Sequence, residues 1–526
     1  MFAQVYTSAL VGVGSYLITC EVDIARGLPR CVIVGLPDAS VNEAGERIWA
    51  AFGNSGYEPP LGKVRVNLAP ADIRKEGTRF DLAIALAICA ADEDNERIYP
   101  ERLKGWMVIG ELAMDGSTRR VHGLISSLLL AKRLGIKNIL IPEANLAEAA
   151  LVEGLNCYGV ANLNQALAAL NCEDVSIWEK QRSHSLDEEA QDGIGAALAG
   201  SGCSYSSSAI DDDFQFICGQ RAAKRGLEIC AAGAHHTLMA GPPGSGKTML
   251  ARCLPSIMPK LSPEEALEVT AIHSVSNRYL TRLIEEVPFR VPSTNISLAG
   301  LLGSFQPGEV TLAHRGVLFM DEFPEFRRDC LEALRQPLES GQVEIARARL
   351  HVQYPCRFIL VAAMNPCPCG FWGDNEHECT CSPLRRRQYF GRLSGPLLDR
   401  IDLQLQVSRP TVGGLFAETS CETSASVRRR VEQAIAVQAE RGFRNGFMTA
   451  AQTRQVCQLN DESRKLLASI VKCQGMSGRV RDRICRMART IADLEGAYDI
   501  KTEHLWEALE YRMIDKYSQA PMAASG

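Results

Sequence analysis

The stretch Gly241-Pro-Pro-Gly-Ser-Gly-Lys-Thr248 carries the pattern G-x-x-x-x-G-K-[ST] at every fixed position. These residue types at this spacing suit the gripping of a polyphosphate. Gly241, Gly244 and Gly246 let successive backbone N–H groups turn toward one anion, and a helix that follows adds the positive end of its dipole. Lys247 is then placed to reach the β- and γ-phosphates, and the Thr248 hydroxyl to hold Mg²⁺. Pro242, Pro243, Ser245 and Met249 complete the expected contacts to ATP.

Hydrolysis needs further groups. Val317-Leu-Phe-Met320 is an apolar run of buried-strand type that ends in Asp321-Glu322. Asp321 belongs in the metal shell, and Glu322 is placed to orient and polarise the attacking water. A second run, Phe358-Ile-Leu-Val-Ala-Ala-Met364, ends in Asn365. Its amide can hydrogen-bond both the γ-phosphate and the water, although an asparagine after a strand is also an ordinary turn former. In Gly395-Pro-Leu-Leu-Asp-Arg-Ile-Asp402, Arg400 is the candidate for a guanidinium that acts in the next subunit's site. The alternative for Arg400 is a surface ion pair with Asp399 or Asp402. Arg479, after Ser477-Gly478, opens a helical run over 480–494 and is the candidate for a second cation on the γ-phosphate. Gly219 and Gln220, just before a helix, are placed to border the adenine.

These groups work only if strands and helices set them. Thr237-Leu-Met-Ala240 is the apolar strand that should feed the phosphate loop, and 249–254 the helix that should leave it. Around this centre the chain separates into blocks. Residues 1–172 mix strand signals (16–22, 31–34, 64–68, 106–111, 138–141) with helices at 41–52 and 124–134, the pattern of an α+β domain. The first twenty residues lack a charged leader segment and are broken by Ser8, Gly12, Gly14 and Ser15, so short strands fit them better than a signal peptide. Residues 173–212 turn rich in Ser, Gly, Ala and acids and read as a linker. The nucleotide block is 213–410, a connector 411–420, a helical block 421–515 and a tail 516–526.

The chain has 526 residues and a formal net charge of −5, with no overall basic footprint. Contact with nucleic acid must therefore come from local patches. Arg347 and Arg349 alternate in 343–353 and, on one strand, would share a face; a solvated strand face is the alternative. Arg385, Arg386 and Arg387 with Arg392 make a second cluster, and Lys63, Arg65, Arg74, Lys75 and Arg79 a third, weaker one. Aromatic residues are not interleaved with these charges, which favours backbone binding of forked, branched or duplex DNA over base stacking. The 19 cysteines in so long a chain do not form the pattern of a secreted disulfide scaffold, and a reduced cytoplasmic setting is expected, with no membrane span. Cys367, Cys369, Cys379 and Cys381 form two C-x-C pairs, with His377 as a spare ligand. They can close a structural Zn²⁺ site, and four reduced thiols in a loop is the alternative.

Together these segments resemble the AAA+ superfamily in its magnesium-chelatase-like branch, and within it the bacterial ComM/YifB family. The resemblance is carried by Gly219-Gln220, the 241–248 loop, Pro288-Phe-Arg290, Pro307-Gly-Glu309, Leu312-Ala-His314, 316–326 and Leu334-Arg-Gln-Pro-Leu-Glu339. It continues through 362–370, 394–402 and 488–496. It departs at Val291-Pro-Ser-Thr294, where relatives often carry paired histidines. What it implies is an α/β P-loop NTPase (AAA+) core, with an N-terminal α+β Lon-protease-like domain and a C-terminal helical lid. The resemblance names Asn365 sensor 1, Arg400 the arginine finger and Arg479 sensor 2, and puts a pore hairpin just before sensor 1. The implied activity is that of a homohexameric ATP-driven DNA helicase that promotes branch migration in recombination and natural transformation. A metal-chelatase subunit driving metal insertion through a partner is the other reading. In the Lon-like block, Arg79 falls where the peptidase serine would be and Ile125 where its lysine would be, so a binding or ring-forming role is expected.

Overall fold

Phe2–Val11 (β1) and Gly14–Ala25 (β2) open the chain as an antiparallel hairpin, paired from Phe2↔Asp23 to Val11↔Gly14. The computed structural model describes residues 2–93, 97–172, 213–217, 219–276, 280–304, 306–347, 350–374, 377–409, 422–474 and 478–512. The expected linker, connector and tail lie outside them. The described chain divides into two units.

In the first unit the hairpin is extended by Arg30–Val34 (β3), Lys63–Ala69 (β4), Trp106–Val108 (β5), Asn138–Pro142 and Asn156–Val160. Between β5 and the last two lies a small antiparallel pair, Glu111–Leu112 (β6) with Thr118–Arg119 (β7), which makes Asn138–Pro142 β8 and Asn156–Val160 β9. The main sheet runs β3-β4-β2-β1-β5-β8-β9. Helix Asp81–Ala91 has no polar side, and each of its residues is buried. With Ala44–Asn54 it seals one core under the sheet, while helix Leu124–Leu134 belongs to the other. That second core includes residues from far along the chain. Helix Pro263–Val275, inside the 213–410 stretch, packs here through Leu267 and Ala271 against the cluster of Met107, Leu124 and Leu128. Its end is fixed by the Gly123 N–H on the Ser274 carbonyl at 3.2 Å and by Ser274 Oγ donating to the buried Glu148 carboxylate.

The second unit holds a five-stranded, all-parallel sheet. Its strands are Thr237–Ala240 (β10), Phe289–Arg290 (β11), Val317–Met320 (β12), Ile359–Met364 and Leu403–Gln406. Gln342–Arg347 (β13) and Leu350–Pro355 (β14) form a separate antiparallel hairpin, so Ile359–Met364 is β15 and Leu403–Gln406 is β16. The order is β11-β12-β15-β10-β16. β10, β12 and β15 are buried at every residue, which is why they read as unbroken apolar runs.

The helices that follow bury one stripe each. Val427, Val431 and Ala434 of helix Ser424–Glu440, and Ile484, Ala488 and Ile491 of helix Gly478–Leu494, recur at four and three residues. They join Leu227, Leu250 and Leu254 in the core that lies behind the phosphate loop. Among the described residues no helix is long and apolar enough to cross a membrane.

Candidate active site

Because β10, β12 and β15 run parallel, whatever follows each of them gathers at one edge of the sheet, the usual place for a ligand in such folds. The 241–248 loop follows β10, Asp321-Glu322 follows β12 and Asn365 follows β15. The loop is tight. A Cβ on Gly241 would lie 2.1 Å from the Val407 carbonyl oxygen, and Gly246 has φ of 87° immediately before helix Lys247–Ile257. Ser245 is buried, Pro242 half-buried, and Pro243, Gly244 and Met249 are exposed.

The side chains converge as expected. Lys247 Nζ donates to the Gly241 carbonyl at 2.7 Å, the Pro242 carbonyl at 2.9 Å and Asn365 Oδ1 at 3.3 Å. Burial lowers its pKa, and the Asp321 carboxylate works in the opposite direction. Thr248 Oγ1 donates to Asp321 Oδ2 at 2.9 Å, while the Glu322 N–H holds Asp321 Oδ1 at 2.9 Å. A hydroxyl and a carboxylate fixed side by side are oxygen donors suited to a hard divalent cation. Glu322 is exposed and has φ of 51°, a left-handed conformation that costs a non-glycine residue on the order of 1 kcal/mol. Gln220 is also left-handed, at φ of 53°. Its Nε2 donates to the Ser245 carbonyl at 3.3 Å and to that of Ser408, so the 219–220 segment is tied to the phosphate loop from the side of β16.

Arg400 and Arg479 are elsewhere. Arg400 precedes β16, a strand parallel to β10, and so stands at the opposite edge of the sheet from its own phosphate loop. A four-residue strand alone spans about 13 Å. Neither Asp399 nor Asp402 is its partner. Arg400 pairs with Glu339, on helix Arg335–Ser340, whereas Asp402 accepts from His235 Nδ1 at 3.1 Å and lies 3.6 Å from Arg483. Arg479 is exposed, one turn before Arg483 on the same helix, and its charge is felt by Glu339. Arg400 is thus held at Glu339, and Arg479 adds positive charge to the field there.

The four cysteine sulfurs lie within 4.8 Å of one another. Sγ–Sγ distances are 3.3 Å for Cys367–Cys369, 3.7 Å for Cys367–Cys379 and 3.6 Å for Cys369–Cys379. A tetrahedron with Zn–S of about 2.3 Å puts sulfurs roughly 3.8 Å apart, so this donor set fits zinc. Burial pushes the Cys367 thiol up. For Cys369 burial also opposes ionisation, but the Phe371 N–H and the Cys367 and Cys381 thiols outweigh it and hold Cys369 below the usual range. His377 is not part of the set; it stacks on Phe371 at 4.9 Å and meets Arg409 at 3.1 Å. The C-x-C loop also touches the phosphate loop: a Cβ on Gly370 would lie 2.6 Å from Pro243 Cδ.

The basic patches fare unevenly. Arg385 and Arg387 are exposed, and Arg386 sits over the Trp372 ring at 4.8 Å. Arg392 pairs with Glu325 at 2.5 Å. Arg347 ends β13 and is paired in register with Leu350, so the strand stops there. Arg349 lies outside the described residues. The shared-face expectation for Arg347 and Arg349 therefore lies outside the described residues. The 63–79 cluster dissolves as a charged surface, because Lys75 and Arg79 are buried and Arg74 and Arg65 face Glu76 and Asp23. Arg79 Nη2 donates to Ser127 Oγ at 3.1 Å, and Ile125 is in the core.

Sequence reasoning left Arg290 and Glu309 without a role. They form a fork, Nε to Oε2 and Nη2 to Oε1, both at 2.6 Å, which fastens β11 to the 307–312 segment. The only signal in the sequence was one charge of each sign closing the tripeptides Pro288-Phe-Arg290 and Pro307-Gly-Glu309. Glu339, too, carries no signal of its role in the sequence.

Comparison with known proteins adds the following. Residues 213–414 match the family described as "Magnesium chelatase, subunit ChlI", residues 20–145 match "Subunit ChlI of Mg-chelatase", and residues 421–512 match the C-terminal part of that subunit. The chain is 42% identical over 521 residues to protein YifB of Salmonella typhimurium, covering 98% of this chain and 97% of YifB. It is 39% identical over 523 residues to the competence protein ComM of Haemophilus influenzae, with 98% of each chain covered. Similarity to the magnesium-chelatase 67 kDa subunit of Heliobacterium mobile is 30% over 190 residues, covering 30% of this chain and 28% of that one.

Proposed function

Since the chain belongs to the ComM/YifB family of magnesium-chelatase-like proteins, we propose that it is an ATP-driven ring motor that remodels DNA, a homohexameric helicase promoting branch migration. The observation that carries the ATPase reading is the meeting of Lys247 with Asn365 and of Thr248 with Asp321 across the ends of three neighbouring strands. In it, Lys247 neutralises the β- and γ-phosphates, Gly219 and Gln220 border the adenine, and Asn365 and Glu322 position the water, with Glu322 as its polarising base. Thr248 and Asp321 hold Mg²⁺, which screens the phosphate charge when bound. Arg400 and Arg479, being at the far edge of their own sheet, act on the nucleotide of a neighbouring subunit, so the site is complete only in a ring. The first unit serves as a non-proteolytic Lon-like module, the C-terminal helices as the lid, and the protein works in the cytoplasm.

DNA as the partner is supported by the near full-length likeness to a competence protein, against likenesses to magnesium-chelatase subunits over 30% and 38% of this chain. Arg385 and Arg387, exposed on one short helix, are the described candidates for phosphate contacts, together with Arg386 and the hairpin arginines Arg347 and Arg349. The test is the ATPase rate of purified protein with and without forked and four-way DNA. Stimulation that weakens as salt rises is the expected result; a rate indifferent to every DNA structure rejects the DNA motor.

Two variants probe the site. Glu322→Gln should bind ATP normally and hydrolyse it about 10²-fold or more slowly, read as nucleotide affinity beside single-turnover rate. Zinc held by Cys367, Cys369, Cys379 and Cys381 would stiffen the loop that packs on Pro243. Gly370→Val, whose side chain collides with that proline, should therefore raise the ATP concentration needed for half-maximal turnover while leaving zinc content, measured by elemental analysis, at one per chain.

A further inference from the structure

Arg400 is already engaged within its own subunit. Its Nη2 donates to the Glu339 carboxylate and its Nη1 to the Pro396 carbonyl at 2.7 Å. The guanidinium side chain is 10% exposed, its Nε is buried without a hydrogen-bond partner, and the carboxylate opposite it is 58% exposed. The hydrogen bond to Arg400 is the main cause that lowers the Glu339 pKa, and the charges of Arg479 and Arg483 add to it. Arg483 has a carboxylate of its own in Asp402. One open carboxylate thus holds Arg400, an arginine assigned above to the neighbour's nucleotide. A carboxylate and a γ-phosphate present the same kind of oxygen fork to a guanidinium, so the two compete for it.

We propose that Glu339 is a latch, a positioning residue that keeps Arg400 within its own subunit and yields it to the γ-phosphate held by the adjacent subunit. This rests on the reading of Arg400 as a residue acting in trans. Glu339 touches no reacting atom; it sets how much of the binding energy of finger and phosphate is spent on breaking a local pair before the ring can fire. Its exposed side lets the pair open toward a partner without burying a bare carboxylate, since water takes up the released oxygens.

The experiment compares Glu339→Gln, Glu339→Asp and wild type in steady-state ATPase assays above the ring-forming concentration. Glu339→Gln keeps size and hydrogen-bonding ability but removes the charge. It should lower the half-saturating ATP about two- to fivefold, the equilibrium weight of an exposed ion pair, with kcat retained or raised. Glu339→Asp, which keeps the charge, should remain near wild type. A kcat that collapses toward that of Arg400→Ala would mean that the carboxylate orients the finger for catalysis and would overturn the latch. Unchanged half-saturation in Glu339→Gln would overturn it as well. Mixing Arg400→Ala with Lys247→Ala subunits separates the two levels. Recovered activity there with an indifferent Glu339→Gln rejects the latch alone, whereas no recovery rejects the trans site beneath it.

Discussion

Lys247→Ala should retain the fold and lose ATP turnover by about 10²-fold or more. The ammonium lies inside the loop's own curve, held at 2.7 and 2.9 Å by two loop carbonyls and at 3.3 Å by Asn365. Those partners explain both halves of the expectation. The two carbonyls aim Nζ at the place where phosphate charge develops, so its loss removes a preorganised charge rather than a general attraction. The Gly241 carbonyl is buried and Pro242 half-buried, so the loss leaves about one or two hydrogen bonds unmade, a cost of about 1 to 3 kcal/mol that a unit with so large a core survives. Burial already lowers the pKa of Lys247. Arrival of the triphosphate reverses that, because an anion favours the charged form. Thermal melting beside phosphate release checks the claim; ordinary turnover in a folded variant contradicts the site.

Arg400→Ala should bind ATP with little change and lose ring-dependent hydrolysis by 10³-fold or more, the scale of an arginine finger. β10 and β16 run in the same direction, the phosphate loop leaves the far end of one, and Arg400 enters the near end of the other. No rotamer carries a guanidinium across the length of the sheet. A residue that can reach a nucleotide only in another copy must leave binding by an isolated copy intact, which separates this variant from Lys247→Ala in a binding assay below the ring-forming concentration.

The nucleotide edge was legible in the sequence because each of its parts is local: an apolar run that must be a buried strand, followed at once by the polar residue the strand delivers. β10 and β12 begin and end where the apolar runs do. The parts that could not be read depend on distance or on burial. The antiparallel pairing of β13 with β14 has no Gly, Asn, Asp or Pro in 343–354 to announce it. Lys75 and Arg79 count as surface charge until the fold buries them. Helix Pro263–Val275 has glutamates in its first turn like any exposed helix, yet it carries Leu267, Ala271 and Ser274 into the core of the first unit. The partner of Arg400 is 61 residues away in the chain, and only the fold, which brings helix Arg335–Ser340 to it, reveals it.

The central claim is that one subunit grips the triphosphate and another completes the chemistry. The direct measurement is ATP hydrolysis by rings assembled from equal amounts of Lys247→Ala and Arg400→Ala subunits, each inactive alone. A mixture that regains a sizeable fraction of wild-type turnover is predicted, because an Arg400→Ala subunit keeps a whole phosphate loop that a Lys247→Ala neighbour can complete with its own Arg400. A mixture as inactive as its components, in rings shown by mass to contain both, contradicts the account.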